Sequence, residues 1–176
     1  MAQNIGAANL AAGMADPFMG CSPVVAFTGA MEPLHKYRNA YQEYEHSQFQ
    51  DVTKSSVRVD RTERLADLVR QAFRTATTGT PGPVHLDIFD DALQGTAELD
   101  LLVEPDFLGV PAFRPQPDPT AIRRAAAALQ SAKRPVIVAG GGVIVSGAWN
   151  ELQDLAERLS IPVATSLNAK TAFPNL

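Results

Sequence analysis

Three consecutive glycines, Gly140, Gly141 and Gly142, stand between an apolar run and a helical pattern, and they have the plainest chemical use of any residues in the chain. Without side chains, the backbone there can approach a ligand closely, and the unpaired N–H groups that open the next helix suit a phosphate. A purely structural tight turn explains the same triplet. The spacing is not GxGxxG, and Thr165 and Ser166, rather than an acidic residue, end the strand that follows. Acid–base groups are scarce. His35, His46 and His85 lack metal-ligand spacing and read as surface or core histidines. Asp87, Asp90 and Asp91 end a strand, where they either face a crevice or cap and solvate a loop. Glu43, Tyr44 and Glu45 read as a solvated turn. Cys21 is the lone cysteine, which excludes an intramolecular disulfide, suits a reducing compartment and is expected to be a small buried hydrophobe. No nucleophile elbow, Walker loop or metal-binding motif is present.

The elements that must position these groups follow from periodicity. Residues 6–19 are rich in Ala, Leu and Met and nearly apolar all round, which predicts a buried helix, and residues 24–28 follow as a core strand. Residues 30–53 have no clean period and read as an irregular functional loop with short helical turns. A strand is expected at 55–59. Asp60 then caps a helix with Leu65, Leu68, Val69, Ala72, Phe73 and Ala76 on one face. Residues 77–83 end that helix at Gly79, and 84–88 form the next strand. Four prolines between 111 and 119 place an extended connection at 96–118. Asp118 and Pro119 open a further helix as cap and first helical residue, with Ile122, Ala125, Ala126 and Leu129 facing inward. A strand over 135–139, the glycine triplet, a helix carrying Trp149, Leu152, Leu155, Ala156 and Leu159 on one face, and a strand over 162–165 complete a strand–loop–helix–strand unit. This order predicts α/β architecture, with parallel-sheet, three-layer units.

The chain has 176 residues, 45 % hydrophobic and 19 % charged, the balance of a protein that buries a core rather than of a disordered one. A net charge of −4, a pI near 5.3 and the lack of a basic stripe exclude a phosphate-backbone binder, so no nucleic-acid partner is expected. No signal peptide is recognisable, and no apolar run approaches the roughly 20 residues that cross a bilayer. A cytoplasmic location without membrane partners follows as the expectation.

The segment NIGAANLAAGMADPFMGCSPVVAFTG resembles the GPGATN signature, and the strand after it, in the pyrimidine-binding domain of thiamine diphosphate-dependent enzymes of the acetolactate synthase type. Tyr41, Gln42 and Glu43 match the family's Phe-Gln-Glu stretch. DVTKSSVRV and TTGTPGPVHLDI match that domain's last strands, and residues 133–174 resemble the start of the family's central domain. Asn4 and Ile5 stand where the signature has Gly-Pro, Ala8 where it has Thr, and Ala30 where acetolactate synthases carry Gln.

The resemblance implies that residues 1–95 are the C-terminal part of a pyrimidine-binding domain, 96–118 a linker, and 119–176 the N-terminal part of a Rossmann-like central domain. It also implies that the chain is an internal fragment, without the glutamate that activates the aminopyrimidine and without the magnesium- and diphosphate-holding domain. Gly6 and Asn9 then lie near the aminopyrimidine, and Gln42 borders cofactor and substrate. Gly140, Gly141, Gly142, Ser166 and Leu167 match positions that hold FAD or ADP. None of these is a catalytic or metal residue. For the whole enzyme, the resemblance implies thiamine diphosphate with Mg2+, a 2-oxo acid or acyl-CoA substrate, decarboxylase, carboligase or transferase chemistry and a homo-oligomer. The fragment alone is expected to be inactive and prone to aggregate. A noncatalytic FAD- or ADP-binding module, and a vestigial product of a split gene, are the alternative readings.

Overall fold

The computed structural model describes residues 2–38 and 46–174. The chain divides into two compact units, Met1–Phe113 and Arg114–Leu176. Both are built on parallel strands, as the alternation of strand and helix patterns predicts.

The first unit holds a four-stranded sheet in the order β1 (Ala2–Gln3), β2 (Val25–Ala30), β4 (Val84–Phe89), β3 (Ser55–Val59), with every neighbour parallel. All six residues of β4 are buried, as befits a central strand covered on both faces. Register sorts the side chains by face. Val59, Val84, Leu86 and Ile88 pack against helix α2 (Leu65–Thr77), while Ala26 lies with Ala7, Ala11 and Met14 of helix α1 (Ile5–Met19) and with Phe49 of the 3-10 turn His46–Val52. A short helix α3 (Asp90–Gln94) follows β4.

Several local expectations change in this unit. Helix α1 is not buried all round. Only Ala7, Ala11 and Met14 are fully covered, and Met19 is 80 % exposed, because a single sheet face shields one stripe of a helix. Asp60 does not cap α2. A tighter 3-10 turn, Thr62–Arg64, is fastened by the Thr62 hydroxyl donating to the Ala92 carbonyl (2.9 Å), and it moves the helix start to Leu65. Phe73 lies at the edge of its helix face and stays partly exposed. Cys21 is half-buried rather than buried, because it occupies a left-handed turn (φ 54°) just past α1. Gly79, by contrast, adopts the left-handed φ of 66° foreseen after α2. Residues 97–113 group with this unit: Glu104 pairs with both Nε (2.7 Å) and Nη2 of Arg74, whose guanidinium also lies over Phe107.

The second unit contains α4 (Pro119–Ser131), a parallel pair β5 (Ile137–Ala139) and β6 (Val163–Thr165), and helices α5 (Gly141–Ser146) and α6 (Trp149–Leu159). Asp118 caps α4 through its side chain, accepting from the Thr120 amide at 2.9 Å, with Pro119 at the first helical position. The expected inward face of α4 is not covered. No residue of that helix is buried and Ile122 is 51 % exposed, because a two-stranded sheet offers too little surface to cover it. On α6 only Ala156 is fully buried, while Trp149, Leu155 and Leu159 remain exposed.

Candidate functional site

Ligands of open parallel sheets bind beyond the carboxyl ends of the strands. In the first unit that edge carries the start of α1, since Gln3 pairs with Gly29 and the helix begins two residues later. Asn4 makes the bend with φ 48° and ψ −123°, a conformation that favours glycine, and its carbonyl accepts from the amides of Ala7 (2.9 Å) and Ala8 (3.3 Å). Gly6 and Asn9 follow, one turn apart, off the stripe that Ala7, Ala11 and Met14 bury. Asn9 is exposed, so its carboxamide is available to donate to and accept from a heterocycle, which fits an aminopyrimidine contact. Gln42, expected to border cofactor and substrate, lies outside the described residues.

In the second unit the expected residues come together. The Ser166 amide donates to the Ala139 carbonyl at 2.9 Å, which sets the turn after β6 against the turn after β5. A methyl group added at Gly140 or Gly142 would meet nothing within 4 Å, and one at Gly141 would touch only Asn168, at 4.0 Å. The triplet is therefore not demanded by local packing, and none of its members has a positive φ. The turn after β6, which the Ser166–Ala139 bond sets beside the triplet, carries exposed Ser166 and Leu167. Among the described residues no cluster of three His, Cys, Asp or Glu side chains could hold a metal, and no helix is long and apolar enough to cross a membrane.

Charge in the first unit is spent on fastening. Lys54, just ahead of β3, donates from Nζ to the carbonyls of Thr75 (2.5 Å) and Thr78 (2.8 Å) at the end of α2, and partial burial lowers its pKa. The hydrogen bond from Arg74 holds the Glu104 carboxyl below the usual carboxylate range. An apolar cavity of about 160 Å³ between Phe73, Leu102 and Phe107 contains none of the expected site residues.

Sequence reasoning missed a buried polar network in the sheet. His85 is 0 % exposed, with Nε2 at 2.7 Å from Thr28 Oγ1 and Nδ1 at 2.8 Å from Ser56 Oγ. Thr28 donates to Asp87 Oδ1 at 2.5 Å, and Arg58 Nε donates to Asp87 Oδ2 at 3.3 Å. The Phe49 ring stacks on the imidazole, centroid to centroid 3.6 Å with 11° between planes. The signal was present, because His85 and Asp87, two apart in an otherwise apolar strand, must share a face and find polar partners there.

Comparison with known proteins places these features. Residues 122–176 match the family described as thiamine pyrophosphate enzyme, central domain. A protein named as an acetolactate synthase large subunit of Methanocaldococcus jannaschii is 39 % identical over 172 residues, which is 96 % of this chain and 29 % of that protein. The acetolactate synthase large subunit of Corynebacterium glutamicum is 38 % identical over 172 residues, 96 % of this chain and 27 % of its own length. The chain thus spans under a third of the relatives it matches. A crystal structure described as a thiamin diphosphate-dependent enzyme from Mycobacterium smegmatis superposes with a TM-score of 0.78, covering 99 % of this chain and 33 % of that one at 23 % identity, which is a likeness of fold.

Proposed function

We infer, from a chain that belongs to the thiamine diphosphate-dependent enzymes and is acetolactate synthase-like along 96 % of its length, that it works as part of a longer cytoplasmic decarboxylase or carboligase acting on a 2-oxo acid or related acyl donor. The observation that supports this reading is that one relative aligns, in order, through both units. Residues 1–95 are then the end of a pyrimidine-binding domain, 96–118 a connection, and 119–176 the start of a central domain.

Thiamine diphosphate with Mg2+ supplies, when bound, the electron sink that lets a 2-oxo acid lose carbon dioxide. This chain's residues bind and orient. Gly6 lets the α1 backbone come close to the aminopyrimidine, Asn9 holds it through its carboxamide, and Gln42 borders cofactor and substrate. Gly140, Gly141, Gly142, Ser166 and Leu167 hold FAD or ADP. Glycine gives the backbone access that any other residue would block, and Ser166 offers a hydroxyl that both donates and accepts. None of these side chains is an acid or base suited to move a proton, so the chain alone does not turn over. Catalysis requires groups from the longer polypeptide, assembled as a homo-oligomer.

Translation of the DNA on both sides of the reading frame tests the proposal. It predicts a glutamate-bearing segment upstream and a magnesium- and diphosphate-binding domain downstream, in frame. Flanks that encode neither would contradict it and leave a nucleotide-binding module as the account.

A further inference from the structure

The network around His85 has a direction that its chemistry fixes. As a carboxylate beside Arg58, Asp87 only accepts, so the single Thr28 hydroxyl hydrogen goes to Asp87 Oδ1. Thr28 Oγ1 then has only lone pairs left for His85, and Nε2 must carry the proton that bridges them. At the other side of the ring, Nδ1 of a neutral Nε2–H imidazole is an acceptor and takes the Ser56 hydroxyl hydrogen across 2.8 Å. The result is a one-way chain, Ser56 to His85 to Thr28 to Asp87, across three strands. Each polar atom on the ring is spent, and the flat face of the imidazole is left to seat Phe49, which is itself 0 % exposed. The Thr53 hydroxyl donates to the Phe49 carbonyl at 2.6 Å, so the aromatic ring and the turn His46–Val52 are held as one piece.

We propose that His85 is a positioning residue: an imidazole held in the Nε2–H tautomer by Thr28 and Ser56, whose face seats Phe49 and thereby fixes the turn His46–Val52 on the sheet. An aliphatic side chain in place of His85 could fill the volume, but it would neither offer a flat surface for stacking nor satisfy the hydroxyls of Thr28 and Ser56. The turn follows residues 39–45 in the chain. This seat is a property of the sheet itself and is independent of the function proposed above.

The test uses the whole chain and no cofactor, so its failure is distinguishable from failure of that function. Long-range 1H–15N correlation spectra read which ring nitrogen carries the proton, and amide exchange reads how firmly residues 49–53 are held. The proposal expects a protonated Nε2 and an unprotonated Nδ1. Thr28→Val, which removes the acceptor but keeps the shape, shifts the tautomer balance and speeds exchange at 49–53 about tenfold, as loss of one buried hydrogen bond would. Thr28→Ser restores both. Should Thr28→Val fail to fold, Ser56→Ala removes the other partner and shifts the Nδ1 resonance in its place. An Nδ1–H tautomer or a doubly protonated ring in the unmodified chain overturns the proposal. So does a Thr28→Val or Ser56→Ala variant in which tautomer and exchange both stay unchanged.

Discussion

Lys54→Met isolates a fastening that holds the first unit's sheet to its helix. The substitution keeps most of the aliphatic stem and removes the ammonium, so the carbonyls of Thr75 and Thr78 lose their donor at the C-terminus of α2. Two charge-assisted bonds would each contribute more than a neutral one if buried, but Lys54 is exposed, and solvent screening discounts them. Adding the favourable placement of a cation at a helix C-terminus gives about 1–2 kcal/mol. Unfolding entropy scales with size, so for this unit of 113 residues a loss of about 1.5 kcal/mol lowers Tm by about 6 °C. Thermal melting followed through the NMR signals of residues 65–89 reads this unit separately. A melting temperature for Lys54→Met within 1 °C of the unmodified chain would refute the reasoning, because it would mean that the ammonium contributes nothing to α2's end.

Three further outcomes follow from the same geometry. Phe49→Ala removes a fully buried ring stacked on His85 and should cost about 3–5 kcal/mol in urea unfolding of the first unit. Asn4→Gly relieves a side chain from a backbone conformation that favours glycine, and should raise stability by about 1 kcal/mol in the same assay. Glu104 has its pKa lowered by Arg74 in the folded chain, so its contribution is present above the ordinary carboxylate pKa and lost as pH falls through the folded value. Limited proteolysis should therefore cut residues 97–113 faster as pH drops below 4.5, and Glu104→Gln should cut at the fast rate throughout.

Much of this architecture is legible in the residues. The 3.6-residue period of 65–76 and the Asp118-Pro119 pair place two helices, and the valine- and isoleucine-rich runs place the parallel strands. Boundaries are less legible where tertiary contacts decide them: Thr62 reaching Ala92 shortens α2 at its start, a contact 30 residues away that no local pattern reveals. Burial is legible only when a partner surface exists. The apolar stripes of α4 and α6 predict covered faces, yet a two-stranded sheet covers few of them. For the candidate site, the glycine triplet marks the Gly140 turn and the family resemblance adds Ser166, which β5–β6 pairing brings beside it. The spacing of His85 and Asp87 marks a polar face on one strand, but their partners Thr28 and Ser56 are not legible there, because they join it only once three separate strands are in register.

The most direct test of the central claim is release of carbon dioxide from a 2-oxo acid, measured with the longest polypeptide encoded in frame around this chain and with the chain alone. The account predicts release by the longer polypeptide that requires both thiamine diphosphate and Mg2+, falls when Asn9 is replaced by Ala, and is undetectable with the chain alone. Turnover by the isolated chain, or by the longer polypeptide without thiamine diphosphate, would contradict it.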